Sequence, residues 1–371
     1  MNQKKAMEIA KVEFLPCNMP QEDPEWRFSL RASKVSQGWI VCIHADDGTV
    51  GYGYASATPH MGASYEGLKG VLDGFAPTLI GKDPFAIEAI LAGLERQVRG
   101  VNQAKAGIDC ALHDLMARAL KLPLYQLLGG KVRDSVPVMR VLSIKEPDEM
   151  AERGQRLLDA GYRYIKIKVD GDVDLDVARV RAIRARLGPD VHLIIDANQA
   201  YSPKDAITAI NRMADSNVEL FEQPVKYDDW AGLKLVTDSV SVAVEADESA
   251  GSVRDVMHLV SNRLVDAVSL KIPKLGGLRN VIAAARICEA GGIRYRLGAH
   301  VGTRLLSAQA MHLAAALPDV QFACELGEFT RLLDDPFTGI ENENGMLTLP
   351  EEIGSGVSLN PPEGGEKAAA G

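Results

Sequence analysis

From about residue 136 the chain alternates between short apolar runs and amphipathic stretches. The apolar runs are eight in number: VPVMRVLSI, YRYIKIKV, VHLIIDAN, VELFEQP, VAVEADE, AVSLKIP, IRYRLGAH and QFACELGE. Helix-like segments such as PKDAITAINRMAD and LRNVIAAARICEAGG separate them. Strand, helix and strand repeated in this way predict parallel strands joined by right-handed crossovers. Eight such strands predict an α/β fold with a closed barrel of the TIM type.

An open, doubly wound sheet is the alternative to the barrel. That fold commonly carries GxGxxG between a strand and a helix. GYGYAS at residues 51–56 only approaches this motif, so the sequence favours the barrel.

The chain before residue 130 has a different pattern. WIVCIHADDGTVGYGYA predicts a β-hairpin with a DDG turn. AKAGIDCALHDLMARALKLPLYQLLGG places its apolar residues at helical spacing, and its two glycines predict the end of the helix. At the other end of the chain, PPEGGEKAAAG predicts a disordered tail.

Composition narrows the class of protein. The net charge of -9 speaks against a nucleic-acid partner or an anionic membrane surface, both of which attract basic proteins. The five cysteines are scattered without CxxC spacing, which predicts free thiols in a reducing compartment and no zinc site. The first residues show no signal peptide, and no apolar run is long enough to span a bilayer. The sequence therefore predicts a cytoplasmic protein.

Polar residues end almost every predicted barrel strand, which is where the active sites of such barrels lie. In YRYIKIKV, Lys166 and Lys168 are two residues apart and so point to the same face. The later runs end in Asp196 with Asn198, Glu222, Asp247 with Glu248, Lys271, His300 and Glu325.

Three of these acids, Asp196, Glu222 and Asp247, end three consecutive strands and should converge at the rim. Carboxylates so placed repel one another unless a cation lies between them, and oxygen ligands favour Mg²⁺ or Mn²⁺. Such an ion would stabilise the enolate that forms when a proton is removed next to a substrate carboxylate. The sequence predicts Lys168 as the base, with its pKa lowered by Lys166, and Lys271 as its counterpart across the ion.

The order KIK, DAN, FEQP, ADES and SLKIPKLGG resembles the enolase superfamily, in the muconate-lactonizing enzyme branch of the mandelate racemase/muconate-lactonizing family. The resemblance implies a (β/α)7β barrel at residues 131–340 behind an N-terminal α+β capping domain at 1–130. A C-terminal segment at 341–371 would return to the cap. It also implies a metal site formed by Asp196, Glu222 and Asp247, with Lys168 and Lys271 as the acid/base pair. Lys166 would be an auxiliary cation, and Asn198, Glu248 and Glu325 would position the substrate or the ligands.

The sequence departs from the family's patterns at two strands. Mandelate racemase-like members pair a seventh-strand histidine with an acid on the sixth strand, but here the sixth strand supplies Lys271. His300 is therefore a candidate substrate contact rather than half of that dyad. The eighth strand carries ELGE instead of the DxD of dipeptide epimerases, which speaks against a dipeptide substrate.

The resemblance also implies that loops of the first domain close over the barrel mouth. The candidate lids are residues 17–33 and 56–67. In the first of them, Trp26 is a candidate packing or substrate-contacting residue, and Arg27 is a candidate partner for a distal substrate carboxylate. A closed lid would exclude water from the site.

The function predicted is Mg²⁺-dependent removal of the proton α to a carboxylate of a small molecule. The twin lysines favour a racemase or epimerase of an N-substituted or cyclic amino acid. A muconate-type cycloisomerase and a dehydratase are alternatives within the same chemistry, and an inactive metal-binding barrel is the alternative outside it. The resemblance further implies a homo-oligomer.

Overall fold

The structure is a computed structural model that describes residues 6–361. The predicted disordered tail lies almost wholly outside the described residues. The strands and helices of residues 6–361 are numbered in chain order.

The N-terminal part combines an antiparallel sheet with helices. Its strands are β1 (Ile9–Pro20), β2 (Arg27–Phe28), β3 (Arg31–Ala32), β4 (Val35–Ala45) and β5 (Val50–Ser56), and its helices are α1 (Tyr65–Leu79), α2 (Ile87–Gln97), α3 (Asn102–Leu120) and α4 (Leu124–Leu127). Strands β1, β4 and β5 form one sheet, in which β4 and β5 are the hairpin expected from the sequence. Helix α3 packs on this sheet so closely that a Cβ on Gly53 would lie 1.9 Å from the carbonyl oxygen of Gly107.

The barrel follows with regular alternation of strand and helix. A short strand, β6 (Ser135–Pro137), leads into it and belongs to a separate sheet. The barrel strands are β7 (Met139–Leu142), β8 (Tyr164–Lys168), β9 (His192–Asp196), β10 (Val218–Glu222), β11 (Ala243–Ala246), β12 (Ala267–Lys271) and β13 (Arg294–Gly298). Its helices are α5 (Pro147–Asp159), α6 (Val173–Leu187), α7 (Pro203–Arg212), α8 (Trp230–Ser239), α9 (Val253–Ser261), α10 (Ile272–Leu275), α11 (Leu278–Gly291) and α12 (Arg304–Ala316). Strands β7 to β13 form one sheet in chain order, and every pair in it is parallel.

The eighth predicted strand closes the barrel without forming a regular ladder. Cys324 bridges to Val138 beside β7, and Glu325 bridges to Gly298 on β13. The Glu325 amide donates to the Leu297 carbonyl at 2.9 Å, which continues the parallel pattern. The run QFACELGE therefore joins the two edges of the seven-stranded sheet, and the predicted α/β barrel fold is confirmed.

The chain beyond the barrel packs against both earlier parts. It contains β14 (Phe337–Thr338), β15 (Asn342–Glu343), β16 (Met346–Thr348) and β17 (Ser358–Leu359). Strand β16 pairs with β6, which directly precedes the barrel, while the Ser355 amide donates to Asp114 of α3 at 2.7 Å.

The interior is apolar around all these elements, and all five cysteines are free and buried. Within residues 6–361, no helix combines the length and apolarity that crossing a bilayer requires.

Candidate active site

The two lysines of β8 both point into the barrel mouth. Lys166 Nζ lies 2.8 Å and Lys168 Nζ lies 2.5 Å from the same oxygen, Asp196 Oδ2. Lys166 is completely buried and Lys168 is 7% exposed. The alternation of side chains along a strand has therefore placed two charges on the inner face, where charge is costly unless it is paired.

The acids predicted at the rim converge on these cations. Lys166 Nζ also lies 2.7 Å from Glu222 Oε2 and donates to Glu325 Oε2 at 2.9 Å. Lys271, at the end of β12, donates to Asp247 Oδ2 at 2.8 Å and lies 3.7 Å from Glu222 Oε1. The structure thus brings together the predicted acids and lysines from β8 to β12 in one network.

The network shifts the pKa values of two of the acids in opposite directions. Burial alone would raise the pKa of Asp247, but Lys271 and Lys274 hold it well below its usual range. Burial raises the pKa of Glu222 to about 8, and repulsion from Asp196 contributes in the same direction. Glu222 is consequently a carboxylate whose charge the neighbouring protein cations only partly balance.

The same network raises the pKa values of two lysines. Burial would lower the pKa of Lys166, but Asp196, Glu222 and Glu325 raise it well above its usual range. The pKa of Lys271 is also raised, because Asp247 and Glu325 outweigh the effect of burial. In this arrangement Lys166 is a fixed cation held by carboxylates from three strands.

A second layer of charge below the rim was missed in the sequence. Arg296 on β13 is completely buried, and its guanidinium grips both oxygens of Glu245 on β11 with contacts of 2.7 to 3.0 Å. It also reaches Glu325 Oε2 at 3.3 Å. Glu245 precedes Asp247 by two residues, so strand alternation carried a signal that both face inward.

Two further missed residues fix Asp247 in place. Lys274 donates to the carbonyl oxygen and to Oδ1 of Asp247, both at 2.6 Å. The side-chain oxygen of Gln223 accepts from the backbone amides of Asp247 and Ser249 at 2.9 and 3.0 Å. Lys274 could have been predicted from the sequence, because it lies three residues after Lys271, just beyond the end of β12.

Asn198 and Glu248 lie next to the network, as their spacing predicted. Asn198 accepts from Lys168 Nζ at 2.6 Å and donates to Glu248 Oε1 at 3.1 Å. Asn198 has a φ of 40° and His300 a φ of 64°, a conformation that is uncommon outside glycine and often marks functional sites.

A cleft of about 950 Å³, including its open mouth, lies between the network and the first domain. The barrel supplies Lys168, Asn198, Asp247, Glu248, Lys271, His300, Val301, Glu325 and Arg331 to its walls. The first domain supplies mainly Gln21, Trp26, Phe28, Arg31, His60, Met61 and Tyr65, from the two segments expected to form lids. The imidazole rings of His60 and His300 stack across the cleft with their centroids 6.0 Å apart.

The prediction for Arg27 needs correction. Its side chain is 45% exposed and lies 3.4 Å from Asp170 outside the cleft. In the short strand β2, Phe28 is turned into the cleft, and alternation turns Arg27 away. Trp26 does line the cleft, and Arg31 is the arginine of this segment that reaches it.

The rim residues suit a hard divalent cation. Asp196, Glu222 and Asp247 offer only oxygen ligands, which is the donor set that Mg²⁺ prefers. Glu222 Oε1 is buried and accepts no hydrogen bond among residues 6–361. No group of three acidic, histidine or cysteine side chains in the described chain is arranged to hold a metal ion as it stands, since Lys166 and Lys271 lie between the acids. The donor chemistry and the unpartnered oxygen nevertheless fit such an ion.

Two family models match this chain over most of its length. Residues 19–129 match the mandelate racemase/muconate lactonizing enzyme N-terminal domain, and residues 149–363 match the enolase C-terminal domain-like family. The chain belongs to the mandelate racemase/muconate lactonizing family of the enolase superfamily. The predicted family is therefore confirmed.

Curated members of this family resemble the chain over nearly their whole length. It is 39% identical to a hydrophobic dipeptide epimerase of Enterococcus faecalis, covering 86% of this chain and 91% of the relative. It is 30% identical to an N-succinyl-L-Arg/Lys racemase of Bacillus cereus, covering 94% and 100%. It is 33% identical to a chloromuconate cycloisomerase of Cupriavidus necator, covering 87% and 90%.

A solved structure gives the same placement. The dipeptide epimerase of Enterococcus faecalis V583, complexed with Mg and the dipeptide L-Leu-L-Tyr, matches with a TM-score of 0.90 at 35% identity. The match covers 95% of this chain and 99% of that one. By family, this protein is a metal-dependent isomerase of the racemase, epimerase and cycloisomerase group.

Proposed function

We propose that the protein inverts the configuration of an N-substituted amino acid by Mg²⁺-dependent proton transfer at the carbon next to the carboxylate. One observation carries the proposal. Lys168 and Lys271 line the same cleft from β8 and β12. These are the second and sixth strands of an eight-stranded barrel, and so they lie on opposite sides of it.

Each lysine has a distinct role in this reaction. The neutral amine of one lysine takes the α-proton, and the ammonium group of the other delivers a proton to the opposite face of the same carbon. Lys166, which lies beneath them and is held by three carboxylates, stays charged and contributes a fixed positive potential.

Asp196, Glu222 and Asp247 are the residues that would hold Mg²⁺. The bound ion supplies positive charge beside the substrate carboxylate, where negative charge accumulates as the proton leaves. Gln223 and Lys274 keep Asp247 oriented for this purpose.

The cap side of the cleft indicates the kind of substrate. The cap residues that line it include no aspartate or glutamate, whereas Arg31 lines it and pairs with no carboxylate among residues 6–361. Arg331, supplied by the barrel, lines it too and lies over the Trp26 ring at 3.9 Å. A free ammonium group at the far end of the substrate would find no carboxylate among these cap residues. An N-acyl group with an anionic end would meet Arg31 there, and one with a neutral end would need no counter-charge. The N-succinyl amino acid racemase among the relatives supports this choice, and the dipeptide epimerase among them is the competing possibility.

The first experiment is solvent exchange in D₂O with Mg²⁺. The panel contains N-succinyl, N-acetyl and unacylated amino acids, dipeptides with the same side chains, proline derivatives and a muconate. Mass reports deuterium incorporation, and optical rotation reports inversion. We expect exchange and inversion to be fastest with an N-acyl amino acid.

Lysine variants then test the two-sided mechanism. Lys168→Ala and Lys271→Ala should each lose inversion by about 10²- to 10⁴-fold, the usual contribution of a general acid or base. Each variant should retain deuterium exchange with one enantiomer, a different one in each case. Lys204→Ala, at an exposed lysine, is the matched control and should behave as the unmodified protein.

Other outcomes have definite meanings. Inversion that survives in either variant would exclude the two-lysine mechanism. Preferred turnover of a dipeptide would keep the chemistry but change the substrate class. Lactone formation from the muconate without inversion would favour the cycloisomerase, and Mg²⁺ binding without exchange on any compound would favour a barrel that has lost the reaction.

A further inference from the structure

We propose that Asn102, the first residue of helix α3 in the cap domain, is a positioning residue for the active site. It ties together the two barrel loops that carry Asp247 and Lys271. The role of Lys271 as one of the two bases rests on the function proposed above, but the hydrogen bonds that join the two loops do not depend on it.

The side-chain amide of Asn102 makes two hydrogen bonds across the domain boundary. Its nitrogen Nδ2 donates to the Gly251 carbonyl at 3.0 Å and to the Lys274 carbonyl at 2.8 Å. Gly251 lies in the loop after β11, four residues beyond Asp247, and Lys274 lies in α10 directly after Lys271. One cap side chain thus connects the loops of two neighbouring strands.

The backbone before Asn102 is strained in a way that suits this role. Val101 has φ 46° and ψ 52°, a left-handed conformation that is a genuine outlier for a β-branched residue. Gly100 before it also has a positive φ of 76°. Strain of this kind persists only where surrounding contacts hold it, and it is concentrated at functional sites. Here the left-handed backbone conformation, which glycine could adopt without strain, sets the direction in which α3 starts and presents Asn102 to the barrel.

A second contact further along α3 holds the same loop. The buried carboxylate of Asp109 accepts from the Leu278 amide at 2.5 Å. Gly277 has a φ of +127°, and a Cβ there would lie 2.5 Å from the Cβ of Asp109. The segment from Lys274 to Leu278, which begins three residues after Lys271, is therefore held against α3 at both of its ends.

The segment that α3 holds carries catalytic geometry directly. Lys274 places its ammonium on Asp247 and its carbonyl on Asn102, so displacement of α10 would move both. Lys271 immediately precedes α10. By contrast, no hydrogen bond in the described chain joins α3 to β8, which carries Lys168. Loss of the tie should accordingly disturb one side of the site more than the other.

The test compares Asn102→Ala and Asn102→Asp with Asn280→Ala. The aspartate keeps the size of Asn102 but removes the donating nitrogen. Asn280 is the matched control because its amide donates at 2.7 Å to the Leu275 carbonyl of the same loop from within the barrel, without a hydrogen bond to Gly251. Val101→Gly relieves the strain, leaves Asn102 in place and should keep full activity.

Amide hydrogen exchange of the metal-free proteins is the first readout. Both Asn102 variants should speed exchange roughly tenfold in residues 247–252 and 272–278, as loss of a hydrogen bond predicts. Asn280→Ala should do so only in residues 272–278. Unchanged exchange in residues 247–252 in both Asn102 variants would overturn the proposal.

Deuterium exchange with substrate enantiomers at saturating Mg²⁺ is the second readout. In the Asn102 variants, exchange with the enantiomer that depends on Lys271 should fall about tenfold, and exchange with the other should change less than about twofold. An equal fall for both enantiomers would contradict the positioning of Lys271. If the unmodified protein exchanges no substrate proton, the proposed function fails, and the amide exchange alone decides whether Asn102 ties the loops.

Discussion

Replacement of Arg296 by methionine should destabilise the protein far more than loss of a surface arginine. Arg296 is completely buried, and its guanidinium contacts Glu245 at 2.7 to 3.0 Å, Glu325 at 3.3 Å and Glu222 at 2.5 Å. Glu245 is also completely buried, and Arg296 is the cation that contacts it in the described chain. Methionine fills a similar volume but leaves the Glu245 charge without a partner.

The magnitude follows from the geometry. Two unit charges with centres about 4 Å apart attract by about 4 kcal/mol at an effective dielectric constant of about 20. Removing one partner of a buried ion pair costs about 3 to 5 kcal/mol in measured cases. We therefore expect Arg296→Met to lower the free energy of unfolding by about 3 to 5 kcal/mol at pH 7. Arg286→Met, which breaks a pair that is half exposed, should cost no more than about 1 kcal/mol.

The pH dependence of this loss has a definite sign. Burial raises the pKa of Glu245 even with Arg296 present, and removal of the cation raises it further. In the variant, folded Glu245 therefore takes up a proton at a higher pH than unfolded Glu245 does. Acid then stabilises the folded variant relative to its unfolded chain. The difference in free energy of unfolding between the unmodified protein and the variant should therefore decrease as the pH falls from 8 towards 5.

Urea denaturation at several pH values measures these quantities. The double variant Arg296→Met with Glu245→Leu removes the Glu245–Arg296 pair and should recover part of the stability, because an apolar replacement of a buried pair is often neutral. Glu222 and Glu325 still lose their contacts with Arg296, so the recovery should be incomplete. The reasoning is refuted if Arg296→Met unfolds at the urea concentration of the unmodified protein, or if the double variant is no more stable than the single one.

Three further predictions follow from other parts of the structure. Burial lowers the pKa of His312 to about 4, so the free energy of unfolding should fall by up to about 3 kcal/mol as the pH falls from 6.5 towards 4. Urea titrations over that range should show a smaller fall for His312→Gln. Mg²⁺ at 100 times its dissociation constant should raise the free energy of unfolding by about 2.7 kcal/mol, an effect that EDTA reverses and that Asp196→Asn should largely remove in thermal melts. Gly53→Ala should cost about 1 to 3 kcal/mol because its Cβ would meet the Gly107 carbonyl, whereas Gly93→Ala, with open space around it in α2, should gain about 0.5 to 1 kcal/mol.

The rim residues could be predicted because a barrel reduces their geometry to sequence position. Once the apolar runs are taken as parallel strands, their last residues must meet at one edge. Lys168, Asp196, Glu222, Asp247 and Lys271 all follow from this rule, and the structure places them within one network. Which of them binds metal or moves a proton is a matter of chemistry that the positions alone leave open.

The charged residues below the rim, Glu245 and Arg296, could also have been predicted from the alternation of side chains along a strand, but they were missed. Glu245 lies two residues before Asp247, and Arg296 lies four residues before His300, so both precede the candidate residues at the strand ends. Alternation alone predicts that they face inward. What the sequence could not supply is that they meet each other, because β11 and β13 are separated by β12 and the contact crosses the barrel interior.

The cap contacts were harder to predict for a physical reason. Loops have no period, so the direction of each side chain depends on backbone conformation and tertiary packing. The error at Arg27 shows this, since the short strand β2 turns Phe28 rather than Arg27 into the cleft. The tie through Asn102 depends on the left-handed Val101, a conformation that no sequence pattern of valine would suggest.

The barrel and the cap contribute differently to the proposed reaction. The acids and lysines that would carry the reaction lie at barrel strand ends, where the ladder of parallel strands fixes them independently of the substrate. The cap side of the cleft offers aromatic rings, the His60 imidazole and Arg31, none of which reaches the acids by a hydrogen bond in the described chain. Substitutions among those cap residues should therefore change which substrate is accepted while leaving the proton chemistry intact. Asn102 is the exception, because through it the cap also acts on the geometry of the chemistry itself.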